Sequence, residues 1–204
     1  MNRLRGLMTR IFTPVAKLLL RLGVSPDAVT ITGTLVVVVT ALWAFPTGHL
    51  LLGTLVISFF VLTDSLDGVM ARTAGRSGPW GAFLDSTLDR FSDAAIFAGL
   101  VLWFYGEGDD HLTGTLALAC LAIGSFVPYA RARAEGLGMT AAVGIAERAD
   151  RLVLVLVATA LVAFGLPVTV LTVVLVVLAL ASIVTVGQRM ATVRRQAREL
   201  ERTS

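Results

Sequence analysis

Six apolar segments, roughly 27–46, 50–71, 81–105, 112–133, 150–165 and 167–188, each approach the length that crosses a hydrocarbon core as a helix, with Pro46, Gly48, Gly106, Gly108 and Pro167 among the residues that punctuate them. Inside lipid an unpaired backbone N–H or C=O costs several kcal/mol, so apolar runs of this kind satisfy their backbone internally, as helices. In 204 residues the six segments leave space for almost nothing else, and no soluble catalytic domain accompanies them. A 56% hydrophobic share, a 15% charged share and a mean hydropathy of +0.83 exclude a disordered tail and an ordinary soluble domain. The single cysteine, Cys120, lies in an apolar run and rules out a disulfide framework or a thiolate metal cluster.

Charge placement orients the chain. All 17 Lys and Arg fall before residue 22, within 72–90, within 131–151, or from Arg189 onward, which are alternate connections and therefore one side. The opposite connections, including the acidic turn of Glu107, Asp109 and Asp110, hold none. The positive-inside rule places both termini in the cytoplasm, in agreement with an even number of spans. The net charge of +3 thus serves topology and anionic lipid, and nucleic acid is not expected as a partner. Within 1–21, Arg3, Arg5, Arg10, Lys17 and Arg21 interleave with Leu4, Leu7, Met8, Ile11, Phe12, Val15 and Leu18 at near-helical spacing, as in an interfacial amphipathic helix rather than a cleaved signal. The expected architecture is an all-α integral membrane protein: one domain over 1–204, an interfacial helix at 1–21, six spans within 27–188 and a cytoplasmic tail at 189–204.

Five aspartates interrupt this pattern. Asp64, Asp67, Asp85, Asp89 and Asp93 lie within or at the ends of the second and third apolar segments, where an ionised side chain costs about 2.5 to 3.5 kcal/mol at a helix centre. Asp64 and Asp67 are spaced i, i+3, and Asp85, Asp89 and Asp93 repeat at i, i+4, so each set occupies one helical face and two facing helices can build one acidic pocket. Oxygen ligands alone suit hard Mg²⁺ or Mn²⁺, not zinc. Asp93 also fits an interfacial residue beyond the end of its span. Gly68, Ala71, Gly75, Gly78 and Gly81 interleave with the acids and leave backbone open to a bulky anion, although small residues also allow close helix packing. Arg72 and Arg76 lie near enough in sequence to meet a diphosphate, with orientation by positive charge the plainer role for Arg76.

The run Asp64-Ser-Leu-Asp67-Gly68-Val-Met-Ala71-Arg72, eight further residues, and then Gly81-Ala-Phe-Leu-Asp85-Ser-Thr-Leu-Asp89 resembles the signature of the CDP-alcohol phosphotransferase family at every defining position. That resemblance implies an enzyme of the bacterial inner membrane that moves a phosphatidyl group from a CDP-linked donor to an alcohol and releases CMP. It further implies a homodimer. Family roles make Asp64, Asp67, Asp85 and Asp89 ligands of two Mg²⁺ ions, Mn²⁺ being the other option, with Asp89 also the general base. Asp27, Ala28, Val29, Thr30, Gly68, Arg72 and Gly78 become the contacts of CDP-diacylglycerol. Ser25 and Pro26 independently read as a helix cap and first position.

The signature is shared by enzymes using different alcohols, so the acceptor has to be read elsewhere. Arginines gather at the cytoplasmic ends of the fourth to sixth segments, and guanidinium groups match a phosphomonoester better than a neutral alcohol. These stretches resemble the branch of the family that uses inositol phosphate, which implies that Arg131, Arg133, Arg151 and Arg189 bind the acceptor phosphate. Two positions depart from that branch, Arg131 in place of a lysine and Pro128 in place of a serine. Arg148, Arg194, Arg195, Arg198 and Arg202 read as topological anchors. Glycerol phosphate is the second choice of acceptor, and a divalent-cation transporter is the distant alternative.

Overall fold

In the computed structural model, residues 2–63, 65–75 and 78–203 are described, and they form helices and connections. In chain order the helices are α1 (Asn2–Arg21), α2 (Pro26–Ala44), α3 (Leu50–Thr63), α4 (Ser65–Thr73), α5 (Pro79–Tyr105), α6 (His111–Glu135), α7 (Arg148–Ala163) and α8 (Thr169–Thr203). Ser25 caps α2 by accepting from the Ala28 N–H at 3.2 Å, with Pro26 at the first position, as the sequence indicates. Asp110 caps α6 in the same way, accepting from Thr113 N–H at 3.0 Å.

Among the described residues, four stretches are long and apolar enough to cross a membrane: Pro26–Ala44, Leu50–Thr73, His111–Glu135 and Thr169–Arg202. The third and fifth apolar segments fall short of that standard for different reasons. The first half of α5 carries Asp85, Asp89, Arg90 and Asp93, and α7 has 16 residues, about 24 Å of helix. Many exposed side chains on these helices are large and apolar, Val39, Phe59, Leu118, Val157, Val173 and Leu180 among them, as suits a lipid-facing surface.

The main core joins α2, α3, α5, α6, α7 and α8 through Ala41, Ile57, Ile96, Leu100, Phe104, Ala117, Cys120, Leu152, Val155, Leu171 and Leu175. Gly99 sets the closeness of α2 and α5, because a Cβ there would collide with the Ala41 carbonyl oxygen. A second, small cluster seats α1 on α4: Ala16 packs with Val69 and Met70, with Phe12, Leu19 and Leu20 beside them. The described side chains of α1 thus pack on the motif segment through Phe12, Ala16, Leu19 and Leu20, while Val15 and Leu18 remain exposed.

Between α6 and α7 the chain runs without regular structure, yet it is tied to α8. The Ile145 and Ala146 N–H groups donate to Thr185 Oγ1 at 3.2 and 3.1 Å, and Gln196 bonds both backbone groups of Thr140. Gly144 makes this possible, since at φ +146 and against Thr185 no side chain fits. Residues 189–203, expected as a tail, continue α8 as helix; no Gly or Pro follows Gly187 to stop it.

Candidate active site

A cleft of about 460 Å³ opens between the start of α2, the length of α4 and the start of α5. Ser25, Pro26, Asp27 and Thr30 line one wall; Asp67, Gly68, Ala71 and Arg72 form the next; Gly78, Trp80, Gly81, Ala82, Leu84 and Asp85 close the third. Helix periodicity explains the second wall, because Asp67, Ala71 and the neighbouring Gly68 and Arg72 recur at i, i+4 on one face of α4. Two bonds tie the walls together. Thr30 Oγ1 donates to Asp67 Oδ2 at 2.5 Å, and Trp80 Nε1 donates to Asp27 Oδ2 at 2.9 Å.

Of the expected donor contacts, the cleft collects Asp27, Thr30, Gly68, Arg72 and Gly78. Ala28 has its N–H on the Ser25 cap, and Val29 turns toward the α1–α4 cluster and a smaller cavity that Thr30 and Asp67 also line. Trp80 was not among the residues singled out in the sequence, and nothing local marks it beyond its place two residues after Gly78.

Among the carboxylates, Asp67 and Asp85 face the cleft from α4 and α5. Asp89 lies one turn beyond Asp85, with its side chain 17% exposed, and receives Arg148 Nη1 at 2.8 Å and Arg90 Nη2 at 3.5 Å. Asp64 falls outside the described residues, and among those described no three His, Cys, Asp or Glu side chains form a metal-holding group. The donor chemistry nonetheless fits a hard divalent ion: the available ligands are carboxylate oxygens presented by two neighbouring helices, with neither thiolate nor imidazole at the cleft.

The four expected acceptor arginines divide into two kinds. Arg151 and Arg189 are buried, each 5% exposed. Arg151 donates from Nη1 to the Gly124 carbonyl at 2.9 Å and from Nη2 to Asp93 Oδ2 at 3.2 Å. Arg189 donates from Nε to the Val143 carbonyl at 2.9 Å and from Nη1 to the Val127 carbonyl. Gly124 and Val127 are a turn apart on α6, so both guanidinium groups anchor on that helix. Arg131 and Arg133 are exposed, and Arg131 pairs with Glu135 at 2.9 Å.

Two sequence readings need correcting here. Asp93 is not an interfacial residue past the end of its span; it is buried, receiving Arg148 Nε on Oδ1 at 2.9 Å as well as Arg151 on Oδ2. Arg148 is not a topological anchor, because its guanidinium bridges Asp89 and Asp93. Both roles had a sequence signal, the continuation of the i, i+4 ladder to Asp93 and the i, i+3 spacing of Arg148 and Arg151.

Comparison with known proteins adds the family. A model of the family described as CDP-alcohol phosphatidyltransferase matches residues 23–185. The chain is 47% identical over 203 residues to the phosphatidylinositol phosphate synthase of Streptomyces avermitilis, covering 97% of this chain and 83% of that one. It is 47% identical over 202 residues to the synthase of the same name from Cutibacterium acnes, covering 96% and 98%. The fold is similar to crystal structures of the Mycobacterium tuberculosis phosphatidylinositol phosphate synthase. With CDP-DAG bound, that enzyme gives a TM-score of 0.86 at 43% identity, covering 90% of this chain and 94% of that one. In its complex with manganese and citrate the TM-score is 0.85 at 42% identity, covering 89% and 88%.

Proposed function

The chain belongs to the CDP-alcohol phosphatidyltransferase family, and on that premise we propose that it transfers the phosphatidyl group of CDP-diacylglycerol to inositol phosphate, forming phosphatidylinositol phosphate and releasing CMP. The observation that carries the choice of acceptor is the pair of buried arginines, Arg151 and Arg189, anchored on one helix beside the aspartate ladder. Buried guanidinium groups suit a phosphomonoester far better than a neutral alcohol. Arg131 and Arg133 stand at the exposed rim, where they draw the acceptor in. The relatives' shared name supports the same substrate.

On the donor side Asp27, Ala28, Val29, Thr30, Gly68, Arg72 and Gly78 hold the nucleotide. Asp64, Asp67, Asp85 and Asp89 would hold two divalent ions, Mg²⁺ or Mn²⁺, which supply charge neutralisation at the donor diphosphate and at the departing CMP. Asp89 accepts the proton of the attacking hydroxyl as its oxygen bonds to the lipid-bearing phosphorus and the bond from that phosphorus to CMP breaks. Asp85 and Asp89, one turn apart, keep donor and base within reach of each other. The chain crosses the bacterial inner membrane six times, α5 and α7 completing the four apolar stretches, with α1 at the interface, both termini and the site cytoplasmic, and two copies forming a homodimer.

The test is CMP release by the purified protein in detergent with divalent metal, compared across inositol phosphate, glycerol phosphate and free inositol. Inositol phosphate should be fastest and free inositol slowest. Faster release with glycerol phosphate would replace the acceptor and keep the family chemistry.

A further inference from the structure

Arg151 is held from two sides, and each hold has a cause in the sequence. On α6, Gly124 is four residues before Pro128, so its carbonyl oxygen is the one that an N–H at position 128 would take in an ordinary helix. Proline has no N–H, and its ring crowds that same carbonyl. Arg151 Nη1 takes up this oxygen at 2.9 Å. The guanidinium packs directly on this residue, the place of the Gly124 Cβ lying in van der Waals contact 3.5 Å from Nη1 and 3.6 Å from the guanidinium carbon.

From α5, the buried Asp93 receives Nη2 of the same guanidinium at 3.2 Å. Its other oxygen receives Arg148 Nε at 2.9 Å, and Arg148 Nη1 reaches Asp89 at 2.8 Å. One carboxylate thus stands between the arginine assigned to the acceptor phosphate and the arginine paired with the proton-accepting aspartate. A guanidinium is planar with five N–H donors. Anchoring two of its nitrogens on two different helices fixes the plane, and with it the direction of the remaining donors.

The geometry points to Asp93 and Pro128 as positioning residues for the acceptor: together they orient Arg151, and Asp93 alone also sets Arg148 against Asp89. This rests on the reading of Arg151 as an acceptor-phosphate ligand. Neither residue touches substrate; both act through a guanidinium.

The two residues therefore differ in what they should move. Pro128→Ala restores an N–H that competes for the Gly124 oxygen and disturbs only the Arg151 arm. It should raise the KM for inositol phosphate about three- to tenfold, less than the whole of a bond made by a charged group because the Arg151 contact is disturbed and not abolished, with kcat and the KM for CDP-diacylglycerol close to wild type. Asp93→Asn weakens both arms and removes a charge-assisted bond, so it should raise that KM about tenfold or more and also lower kcat. Arg148→Gln should lower kcat without the rise in KM. Thermal unfolding of each purified full-length variant is measured alongside, because a merely structural loss lowers stability and the active fraction without moving KM.

Arg151→Gln is the reference. If it raises the KM for inositol phosphate while Pro128→Ala and Asp93→Asn leave it within about twofold of wild type, less than one hydrogen bond is worth, the positioning role is wrong and the acceptor reading stands. If Arg151→Gln itself leaves the acceptor KM unchanged, the acceptor reading has failed and this inference falls with it. Should Asp93→Asn not fold, Pro128→Ala decides alone.

Discussion

The donor cleft and the arginine end meet at α5 but are built on opposite plans. Around the cleft, polar side chains face an opening of about 460 Å³, and single bonds such as Thr30 to Asp67 and Trp80 to Asp27 join its walls. At the arginine end the bridging charges are buried or half-buried and tied to each other or to carbonyls: Arg148 to two aspartates, Arg151 to Asp93 and Gly124, Arg189 to Val127 and Val143. On the proposed function, the first region admits a large, flexible, diphosphate-bearing lipid. The other is fixed beforehand, so a small anion gains contacts there without first ordering the side chains that bind it.

The sharpest test of this contrast removes chemistry from the open side. Asp67→Asn and Asp85→Asn should each lower kcat on the order of 10³-fold with little change in thermal unfolding, because an open cleft loses charge without losing packing. The double variant should be scarcely worse than either single one, as for groups acting as a unit. Near-normal turnover in either single variant would remove these aspartates from the reaction.

Arg189→Gln reverses the signature. It should raise the KM for inositol phosphate by about 1.5 to 3 kcal/mol, the range for bonds made by a charged group, and leave the KM for CDP-diacylglycerol alone. It should also lower the melting temperature, since Val127 and Val143 lose a buried donor. A variant that lost expression but kept the acceptor KM would show a topological arginine instead.

Trp80→Phe is a gentler probe of the cleft. It removes the bond to Asp27 and keeps most of the ring, so the KM for CDP-diacylglycerol should rise about two- to fivefold while the acceptor KM holds. Arg133→Gln, exposed at the rim, should cost the least: less than about 1 kcal/mol in acceptor KM, and less again at high salt. A larger loss at Arg133 than at Arg189 would overturn the division between buried and rim arginines.

The same division explains what could be read from the sequence. The donor cleft draws on two nearby stretches, 25–30 and 67–85, and its key groups repeat within a turn of helix, so spacing alone brings Asp67, Gly68 and Arg72 to one face. The arginine end is assembled from contacts between residues far apart in the chain, Asp93 with Arg148 and Arg151, or Val127 with Arg189. Single-sequence periodicity carries no information about which distant partner a buried charge finds. Arg148 and Arg202 therefore looked alike, although one bridges two aspartates and the other lies in the last turn of α8. Helix lengths followed the apolar pattern except at α8, where the change from apolar to charged residues marks a change of surroundings and leaves the helix unbroken.

Arg189 and Thr185 also impose an order in time. Both sit on the last of the eight helices, and between them they hold the connection before α7 and a carbonyl of α6. The described lining of the cleft runs from Ser25 to Asp85, so its residues leave the ribosome early, whereas the arginine end waits for α8. If the proposed assignment of the two regions holds, a nascent chain completes its nucleotide site well before it can place a phosphate beside it, and activity waits for α8.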